Sequence, residues 1–361
     1  MKEGFFKKFD ILLLFICIVL FIIGLVAVQS AESTSFLPLA DTTIKQIIFF
    51  SVGFVIMCLL ANTDYDALGK FAYPIAFINI IILVIVFFAG HSAKGAQRWI
   101  AIGPITYQPS EPTKIIVIVA LAKILSSVEK IDKATIFSVV FTVLAPWFLI
   151  LVQPDLGTSL VILFAAFIML YFAGVKPWIL ISIALGGMAV APWVLHDYQK
   201  QRLFIFMNPN ADLTDTGWNI YQSKIAVGHG GIFGTGLFSG SQTQLDFVPE
   251  HNTDFIFSIL GEETGFIGCI IVLLLYVIIM LRCIAIIKSS KDKFGFLIGV
   301  GIFCLMGFHV FINIGMVLGI MPVVGIPLIF ISSGGSALIS NMMSIGILES
   351  IYSQRERFPS L

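Results

Sequence analysis

Long apolar runs without a single charged residue are the feature that most restricts how this chain can fold. Residues 11–28 contain no Asp, Glu, Lys or Arg, and neither do residues 294–327. Each run is long enough to cross a hydrocarbon layer about 30 Å thick. Of the 361 residues, 58% are hydrophobic and only 12% are charged, whereas about a quarter of a soluble domain is charged. The sequence therefore predicts a membrane protein with several spans.

The spans are expected to be helices, because unpaired backbone groups are not tolerated in lipid. The pattern predicts an all-α polytopic protein with about ten transmembrane helices, at residues 10–29, 46–61, 71–90, 111–126, 135–152, 156–174, 177–195, 255–287, 294–319 and 326–350. The whole chain, 1–361, is expected to form one membrane domain, with a large loop at 196–254 between spans seven and eight. The first run is too long for a cleaved signal peptide and is interpreted as the first span.

The positive charges indicate which side of the membrane each loop faces. If the loops alternate between two sides from the N-terminus onward, fourteen of the 21 lysines and arginines fall on the side of both termini. Cytoplasmic loops carry the excess of positive charge, so both termini are predicted to be cytoplasmic and the large loop extracytoplasmic. The formal net charge of zero does not support nucleic-acid binding. The five cysteines lie in or beside apolar runs and are interpreted as packing residues.

Polar motifs that are unusual for a membrane protein collect on the predicted outer side. They lie at 95–99, 108–114, 153–157 and 332–336, and in the 196–254 loop. Because these connections converge on one face, the sequence predicts one functional site there. The candidate site residues are Arg98, Glu111, Lys114, Asp155, Lys224, Asp254 and Ser336.

Several of these candidates also have an ordinary structural explanation. Glu111 and Lys114 stand one turn apart at a helix start, where they could form an interfacial ion pair or contact a substrate. Asp155 could cap the next helix or contribute to the site. Arg98 could be an interfacial anchor or a planar donor to a pyrophosphate or a sugar carboxylate. Lys224 could be a solvated surface lysine or bind an anion, and the sequence leaves these alternatives open.

Glycine-rich stretches in the outer loops could cradle phosphate, but they lack the expected context. Residues 228–231 and 234–236 have no Lys-Ser/Thr after them and no strand–loop–helix pattern, so tight turns are favoured. Ser336 ends the stretch 332–336, whose glycines suit helix packing first and backbone contacts to a phosphate second. His251 is interpreted as structural, because the sequence has no zinc-like spacing and no supported Ser-His-Asp pattern.

Asp254 lies where the large polar loop enters the eighth predicted span. A carboxylate at the edge of hydrocarbon costs free energy unless it faces a polar cavity or a partner. Asp254, or Thr253 before it, could cap the helix. The alternative is a general base, because a carboxylate beside an apolar wall is a better proton acceptor. Glu262 and Glu263, about two turns deeper, are predicted to support this site and not to act in it.

Six motifs in order give the chain a resemblance to a known family. They are GAQRW at 95–99, QPSEPTK at 108–114, QPDLGTS at 153–159, QSKIAVGHGG at 222–231, DFVPEHNTDFIFSILGEETGFIG at 246–268 and SSGGSALI at 332–339. With them the chain resembles the SEDS family of cell-shape, division and sporulation membrane proteins. The stretch at 244–257 is most similar to the RodA branch of that family. The chain departs from the family pattern at Ser333, where a tyrosine is usual.

The resemblance implies a glycosyltransferase that polymerises lipid II into peptidoglycan on the outer face of a bacterial plasma membrane, for rod elongation. It implies that Asp254 is the essential aspartate and that a class B penicillin-binding protein cross-links the product. Other cell-wall elongation proteins and membrane lipid are further expected partners. We expect Asp254 to take the proton from the acceptor sugar's 4-hydroxyl, while undecaprenyl pyrophosphate carries the donor glycan. Arg98, Lys114, Lys224 or a divalent cation, Mg²⁺ or Mn²⁺, would stabilise the leaving pyrophosphate.

Two other functions also fit ten spans with buried charges. A lipid II flippase predicts functional charges at the midplane and on both faces, whereas the inner loops of this chain are short and carry little beyond lysines. A non-catalytic scaffold for the penicillin-binding protein predicts that the purified protein makes no polymer. In the favoured enzyme, Asp155 and Glu111 could hold the cation or orient the basic side chains, and the sequence does not choose between these roles.

Overall fold

The computed structural model of the chain describes residues 9–93, 96–103, 105–128, 132–195, 197–208, 216–245 and 247–355. The helices in these ranges are α1 (Ile11–Glu32), α2 (Asp41–Asn62), α3 (Tyr65–Ala89), α4 (Ser110–Ser126), α5 (Lys133–Val152), α6 (Leu156–Phe172), α7 (Pro177–Val194), α8 (Asp197–Met207), α9 (Thr216–His229), α10 (Ser241–Gln244), α11 (Ile256–Lys288), α12 (Lys293–Val317) and α13 (Gly335–Ser353). Between α3 and α4, the strands β1 (His91–Ala93), β2 (Ala96–Ile102) and β3 (Ile105–Tyr107) form a small antiparallel sheet.

Seven of the described helices are long and apolar enough to cross a membrane: α1, α2, α3, α5, α7, α11 and α12. The helix α6 is apolar but has only 17 residues. Most residues of α4 and of α13, which occupy two further predicted spans, are buried. These two helices contact protein more than lipid, so they tolerate the polar residues that lower their hydropathy. The all-α membrane architecture is confirmed, while the count of ten spans stays a prediction.

The structure differs from the sequence prediction in three places. The sequence predicted only helices, but β1, β2 and β3 form a small sheet between α3 and α4. The helix α11 contains a break at Gly265, where φ is +66°. The tenth predicted span, 326–350, starts as non-helical chain, and its helix begins only at Gly335. Hydropathy could not reveal this, because apolar sequence is common to membrane helices and to buried irregular chain.

The residues between α12 and α13, 318–334, cross the interior of the protein and are called the α12–α13 connection below. Val324, Ile326, Phe330 and Ile331 in this connection are each at most 7% exposed. Around it, α12 packs against α4, α6 and α11, and α13 packs against α2. The connection is therefore a stretch of irregular backbone that lies in the core among these helices.

Gly24→Ala is expected to lower the melting temperature of the purified protein. A β-carbon on Gly24 in α1 would lie 2.6 Å from the α-carbon of Ile331 and 2.7 Å from its carbonyl oxygen, so the helix or the connection must move. Overpacking of this kind costs about 1–3 kcal/mol. Gly186→Ala in α7 is the control, because nothing lies within 4 Å of a β-carbon there. Equal melting temperatures of the two variants in the same detergent would contradict the close packing of α1 on the connection.

Candidate active site

The α12–α13 connection depends on hydrogen bonds from the helices around it. Four side chains of α2, α11 and α12 donate to its carbonyl oxygens over 2.6–3.3 Å: Gln46 to Ser332, Tyr276 to Ile329, His309 to Pro327 and Asn313 to Ile326. Non-helical backbone at membrane depth persists only where protein satisfies its polar groups. These donors therefore hold an irregular chain in one conformation, on which the candidate site is built.

The turn that carries Asp254 is fastened to this connection by hydrogen bonds to its backbone. Ser332 Oγ donates to the carbonyl oxygen of Thr253 at 2.6 Å. Ser333 donates to the carbonyl oxygen of Asn252 twice, through its backbone N at 3.0 Å and through Oγ at 2.7 Å. The serine at the position where the family usually has tyrosine thus helps to fix this turn.

The Asp254 side chain is half-buried and faces the connection at Gly325. A β-carbon on Gly325 would lie 3.3 Å from Asp254 Oδ2. The backbone of Gly325 has a φ of +73°, which glycine adopts without strain. Asn313 Nδ2 donates to the carbonyl oxygen of Asp254 at 2.8 Å and so holds its backbone. The N-cap of α11 is Phe255, and no side chain makes a cap hydrogen bond there. The alternative that Asp254 or Thr253 caps this helix is therefore wrong.

Asp155 caps α6 and also binds the chain that leads into α4. Its Oδ1 accepts a hydrogen bond from Thr158 N at 3.1 Å, which confirms the capping alternative. Its Oδ2 accepts from Gln108 Nε2 at 3.0 Å and from Ser110 Oγ at 3.1 Å. The backbone N of Gln108 in turn donates to Ser336 Oγ at 3.0 Å. Two candidates far apart in sequence, Asp155 and Ser336, thus share one partner.

The start of α6 also contacts the connection on either side of Gly325. A β-carbon on Gly157 would lie 2.7 Å from Ile326 Cγ1 and 2.9 Å from the carbonyl oxygen of Val324. Only glycine permits so close an approach of two backbones. The residues that flank Gly325 therefore pack on α6, while Gly325 itself faces Asp254. This contact links the Asp254 turn to the turn between α5 and α6.

Glu111 and Lys114 form a buried ion pair, as their structural explanation requires. Lys114 Nζ lies 2.9 Å from Glu111 Oε2, and the two side chains are 2% and 6% exposed. Lys114 Nζ also donates to His309 Nε2 at 3.1 Å, while His309 Nδ1 donates to the carbonyl oxygen of Pro327. These partners assign a neutral imidazole with its proton on Nδ1. The pair therefore supports the connection from α4 through His309.

Arg98 and Lys224 lie in different surroundings. Arg98 Nε donates to the carbonyl oxygen of Gln153 at 2.8 Å, and its Nη2 donates to that of Pro154, so the guanidinium is held by the turn between α5 and α6. Lys224 is exposed on α9, and its side chain covers Gly319 just after α12. The structure therefore brings Arg98 to the Asp155 turn and leaves Lys224 outside the buried cluster.

Glu262 and Glu263 hold the large loop against α11, and the predicted support of the Asp254 site by these two residues stays a prediction. Glu262 is fully buried, and its Oε2 accepts hydrogen bonds from Thr243 N at 3.0 Å and Thr243 Oγ1 at 2.8 Å. Glu263 Oε1 accepts from Phe238 N at 3.1 Å and from Ser30 Oγ. Both carboxylates therefore organise loop backbone and neighbouring helix.

The glycine-rich loop after α9 fills the break in α11 at Gly265. Phe266 N donates to the carbonyl oxygen of Gly231 at 2.9 Å, and Thr235 N donates to the carbonyl oxygen of Glu262 at 2.9 Å. These bonds replace helical ones that the break removes. The interpretation as tight turns is confirmed from Gly230 onward, whereas Gly228 and His229 belong to the end of α9.

The side chains that the structure describes give little support for a metal-binding site. Within the ranges that the structure describes, no group of three or more His, Cys, Asp or Glu side chains could hold a metal ion. Asp155 and Glu111, the predicted cation ligands, are engaged by hydrogen bonds and by Lys114, which does not fit a dedicated oxygen cage. His251 lies between the carbonyl oxygens of Val248 and Ala31 at 2.7 and 3.0 Å, as its structural interpretation requires. The Mg²⁺ or Mn²⁺ cation stays a prediction.

Three polar residues near the Asp254 turn were not among the residues predicted from the sequence: His309, Asn313 and Arg202. His309 and Asn313 lie four residues apart in an apolar run, so they share one helix face. Polar side chains inside a membrane helix cost free energy unless they contact polar groups in the protein interior. The spacing of His309 and Asn313 could therefore have predicted that both face the interior. Arg202 is one of several charged residues in a polar loop, and only its tertiary approach to Gly325 distinguishes it.

Glu111→Gln is expected to destabilise the protein, because it leaves the buried Lys114 ammonium without its carboxylate. Breaking one side of a buried ion pair costs about 3–5 kcal/mol. Glu111→Gln/Lys114→Met removes both charges and should recover most of that loss in a thermal unfolding measurement. Asp197→Asn, from a solvent-exposed pair with Lys200, is the control and should change little. A double variant as unstable as Glu111→Gln would contradict the ion-pair role.

The chain is similar over nearly its whole length to named bacterial proteins. It is 36% identical to the peptidoglycan glycosyltransferase MrdB of Escherichia coli, over 98% of this chain and 97% of that protein. It is also 36% identical to the probable peptidoglycan glycosyltransferase FtsW of Trichlorobacter lovleyi, over 95% of this chain and 93% of that protein.

Solved structures and a family pattern match the same extent of the chain. A chain from a peptidoglycan synthase complex has a TM-score of 0.81 and 28% identity, and the match covers 95% of this chain and 97% of that one. The rod shape determining protein RodA of Thermus thermophilus has a TM-score of 0.74 and 26% identity, with 97% and 98% covered. The FtsW/RodA/SpoVE family pattern, described as cell cycle protein, matches residues 10–357. The chain therefore belongs to the FtsW/RodA/SpoVE family, the family that its motifs resemble.

Proposed function

We propose that this chain is a peptidoglycan glycosyltransferase that polymerises lipid II, with Asp254 as its general base. The position of this carboxylate carries the proposal: it is half-buried, faces Gly325 and stands on a turn tied to the α12–α13 connection. Glu111, Asp155 and Glu262 are at most 5% exposed, so a substrate hydroxyl reaches them less easily than the half-buried Asp254. The names of the relatives support the class of reaction.

The reaction needs one base and one stabilised leaving group. The donor is a glycan chain on undecaprenyl pyrophosphate, and the acceptor is lipid II. Asp254 accepts the proton of the acceptor sugar's 4-hydroxyl as that oxygen bonds to the anomeric carbon of the donor. The bond from this carbon to the pyrophosphate oxygen breaks, and the lipid pyrophosphate leaves with the electron pair. An α-linked donor then gives a β-linked product by a single displacement with inversion.

The hydrogen-bonded network around Gly325 serves this reaction by positioning the base. Displacement of a catalytic group by about 1 Å can lower a rate about 100-fold. Arg98 and Lys114 act in this proposal through the α5–α6 turn and the connection, because their charged groups already bind protein atoms. Lys224 and Ser336 stay predicted substrate contacts.

We place the activity on the outer face of a bacterial plasma membrane, with a class B penicillin-binding protein as partner. The excess of positive charge on the side of the termini supports this orientation. A similar chain comes from a complex described as coordinating polymerization and crosslinking, and a transpeptidase needs the new strand on its own side of the membrane. The similarity to a rod shape determining protein supports a role in elongation. In that role the expected partners are other elongation proteins and membrane lipid.

Asp254→Asn is expected to stop polymerisation while the protein remains folded. The amide keeps the size of the side chain but cannot accept the proton, and loss of a general base lowers a rate by about 10²- to 10⁴-fold. The assay is glycan polymer formed from lipid II by purified protein, with the melting temperature measured on the same sample. Asp197→Asn, whose carboxylate is fully exposed on α8, should retain the wild-type rate. A wild-type rate in Asp254→Asn would end the assignment.

Two assays on wild type and Asp254→Asn distinguish the enzyme from a lipid II flippase and from a non-catalytic scaffold. Purified wild-type protein is expected to form polymer, and Asp254→Asn in the same preparation is expected to form none. Both are also tested in liposomes for movement of labelled lipid II. Movement without polymer from wild type would favour the flippase, and neither movement nor polymer would favour the scaffold.

A further inference from the structure

The leaving pyrophosphate of the proposed reaction needs positive charge near Asp254, and two of the predicted cations are engaged elsewhere. Arg98 donates to two carbonyl oxygens at the α5–α6 turn. Lys114 Nζ is enclosed between Glu111 and His309, and its side chain is 2% exposed. The Arg98 guanidinium is thus held at a different turn, and the Lys114 ammonium is enclosed in the interior.

Arg202, from α8, approaches the connection at the same point as Asp254. A β-carbon on Gly325 would lie 3.8 Å from Arg202 Nη1 and 3.3 Å from Asp254 Oδ2. The same Nη1 donates a hydrogen bond to the carbonyl oxygen of Val323 at 3.3 Å. A guanidinium and a carboxylate from separate parts of the large loop therefore both approach Gly325, which has no side chain.

The chemistry and setting of Arg202 suit a phosphate ligand. A guanidinium has five N–H donors in a planar fork that matches two phosphate oxygens. The hydrogen bond from Nη1 to the carbonyl oxygen of Val323 orients the guanidinium at the connection. The side chain is half-buried, which strengthens its electrostatic attraction relative to a fully solvated charge. A preoriented donor also loses less conformational entropy when it binds.

We propose that Arg202 binds the pyrophosphate of a lipid-linked sugar beside Asp254. This inference rests on the glycosyltransferase function proposed above and names the residue that holds its phosphate groups. Both the donor and the acceptor carry a lipid pyrophosphate. At the donor, Arg202 would neutralise the charge that develops as the bond between anomeric carbon and oxygen breaks. At the acceptor, it would hold the lipid so that the 4-hydroxyl reaches Asp254.

Direct binding of undecaprenyl pyrophosphate tests the proposal without turnover, because this lipid carries no sugar. Arg202→Gln is expected to raise the dissociation constant by about 10- to 100-fold. Arg202→Lys keeps the charge but loses the planar fork, so its dissociation constant should lie between those of wild type and Arg202→Gln. Undecaprenyl monophosphate is the ligand control, and its weaker binding should change less among the variants.

Lys200→Gln is the matched protein control for a lost positive charge. Lys200 lies on the same helix, and its exposed side chain pairs with Asp197 at 3.6 Å. Its substitution should leave the dissociation constant unchanged, and melting temperatures should be equal among the variants. Wild-type affinity in both Arg202 variants, or an equal loss in Lys200→Gln, would overturn the proposal. Arg202→Lys alone decides the matter if Arg202→Gln is unstable.

Initial rates of polymerisation assign the pyrophosphate to one of the two substrates. A lower kcat with an unchanged KM for lipid II in Arg202→Lys would assign the donor, and a raised KM with an unchanged kcat would assign the acceptor. If wild type forms no polymer, the proposed function fails, but the binding measurement still tests the pyrophosphate site by itself. The two failures are therefore distinguishable.

Discussion

The α12–α13 connection is irregular backbone buried among membrane helices, and the rest of the site depends on its hydrogen bonds. Lipid supplies no donors, so each carbonyl group needs one from the protein. Tyr276, His309 and Asn313 supply three of them from α11 and α12. Gly157 lets α6 approach the connection closely. These contacts together determine the surface that the Asp254 carboxylate faces.

Charged groups divide into two kinds around this backbone. Glu111 and Lys114 are deeply buried, and each neutralises the other. Asp254 and Arg202 are half-buried at the same point of the connection. Fully satisfied buried networks rigidify a core, whereas groups at its edge can exchange protein or water partners for a substrate. The first pair therefore suits support, and the second pair suits chemistry.

Hydropathy located α1 and α12 well, because long charge-free runs have few alternatives to a membrane helix. It placed the start of the tenth span too early, since residues 326–331 are apolar but owe their irregular conformation to donors from other helices. It also passed over Gly265, where a distant loop replaces the missing helical bonds. Motif order and residue type placed Asp155 and Ser336 in one predicted site, and the fold shows that both hydrogen-bond to Gln108.

The sequence by itself determined the class of this protein, a helical membrane protein of the FtsW/RodA/SpoVE family, and the choice of Asp254 as candidate base. These depend on span length, residue type and motif order, which are local properties. Only the tertiary structure decided which cation stands beside that carboxylate: Arg202 approaches Gly325, while Lys224 lies over Gly319. The reason is that this approach depends on how the large loop folds back over α12, and no local pattern encodes contacts between segments so far apart.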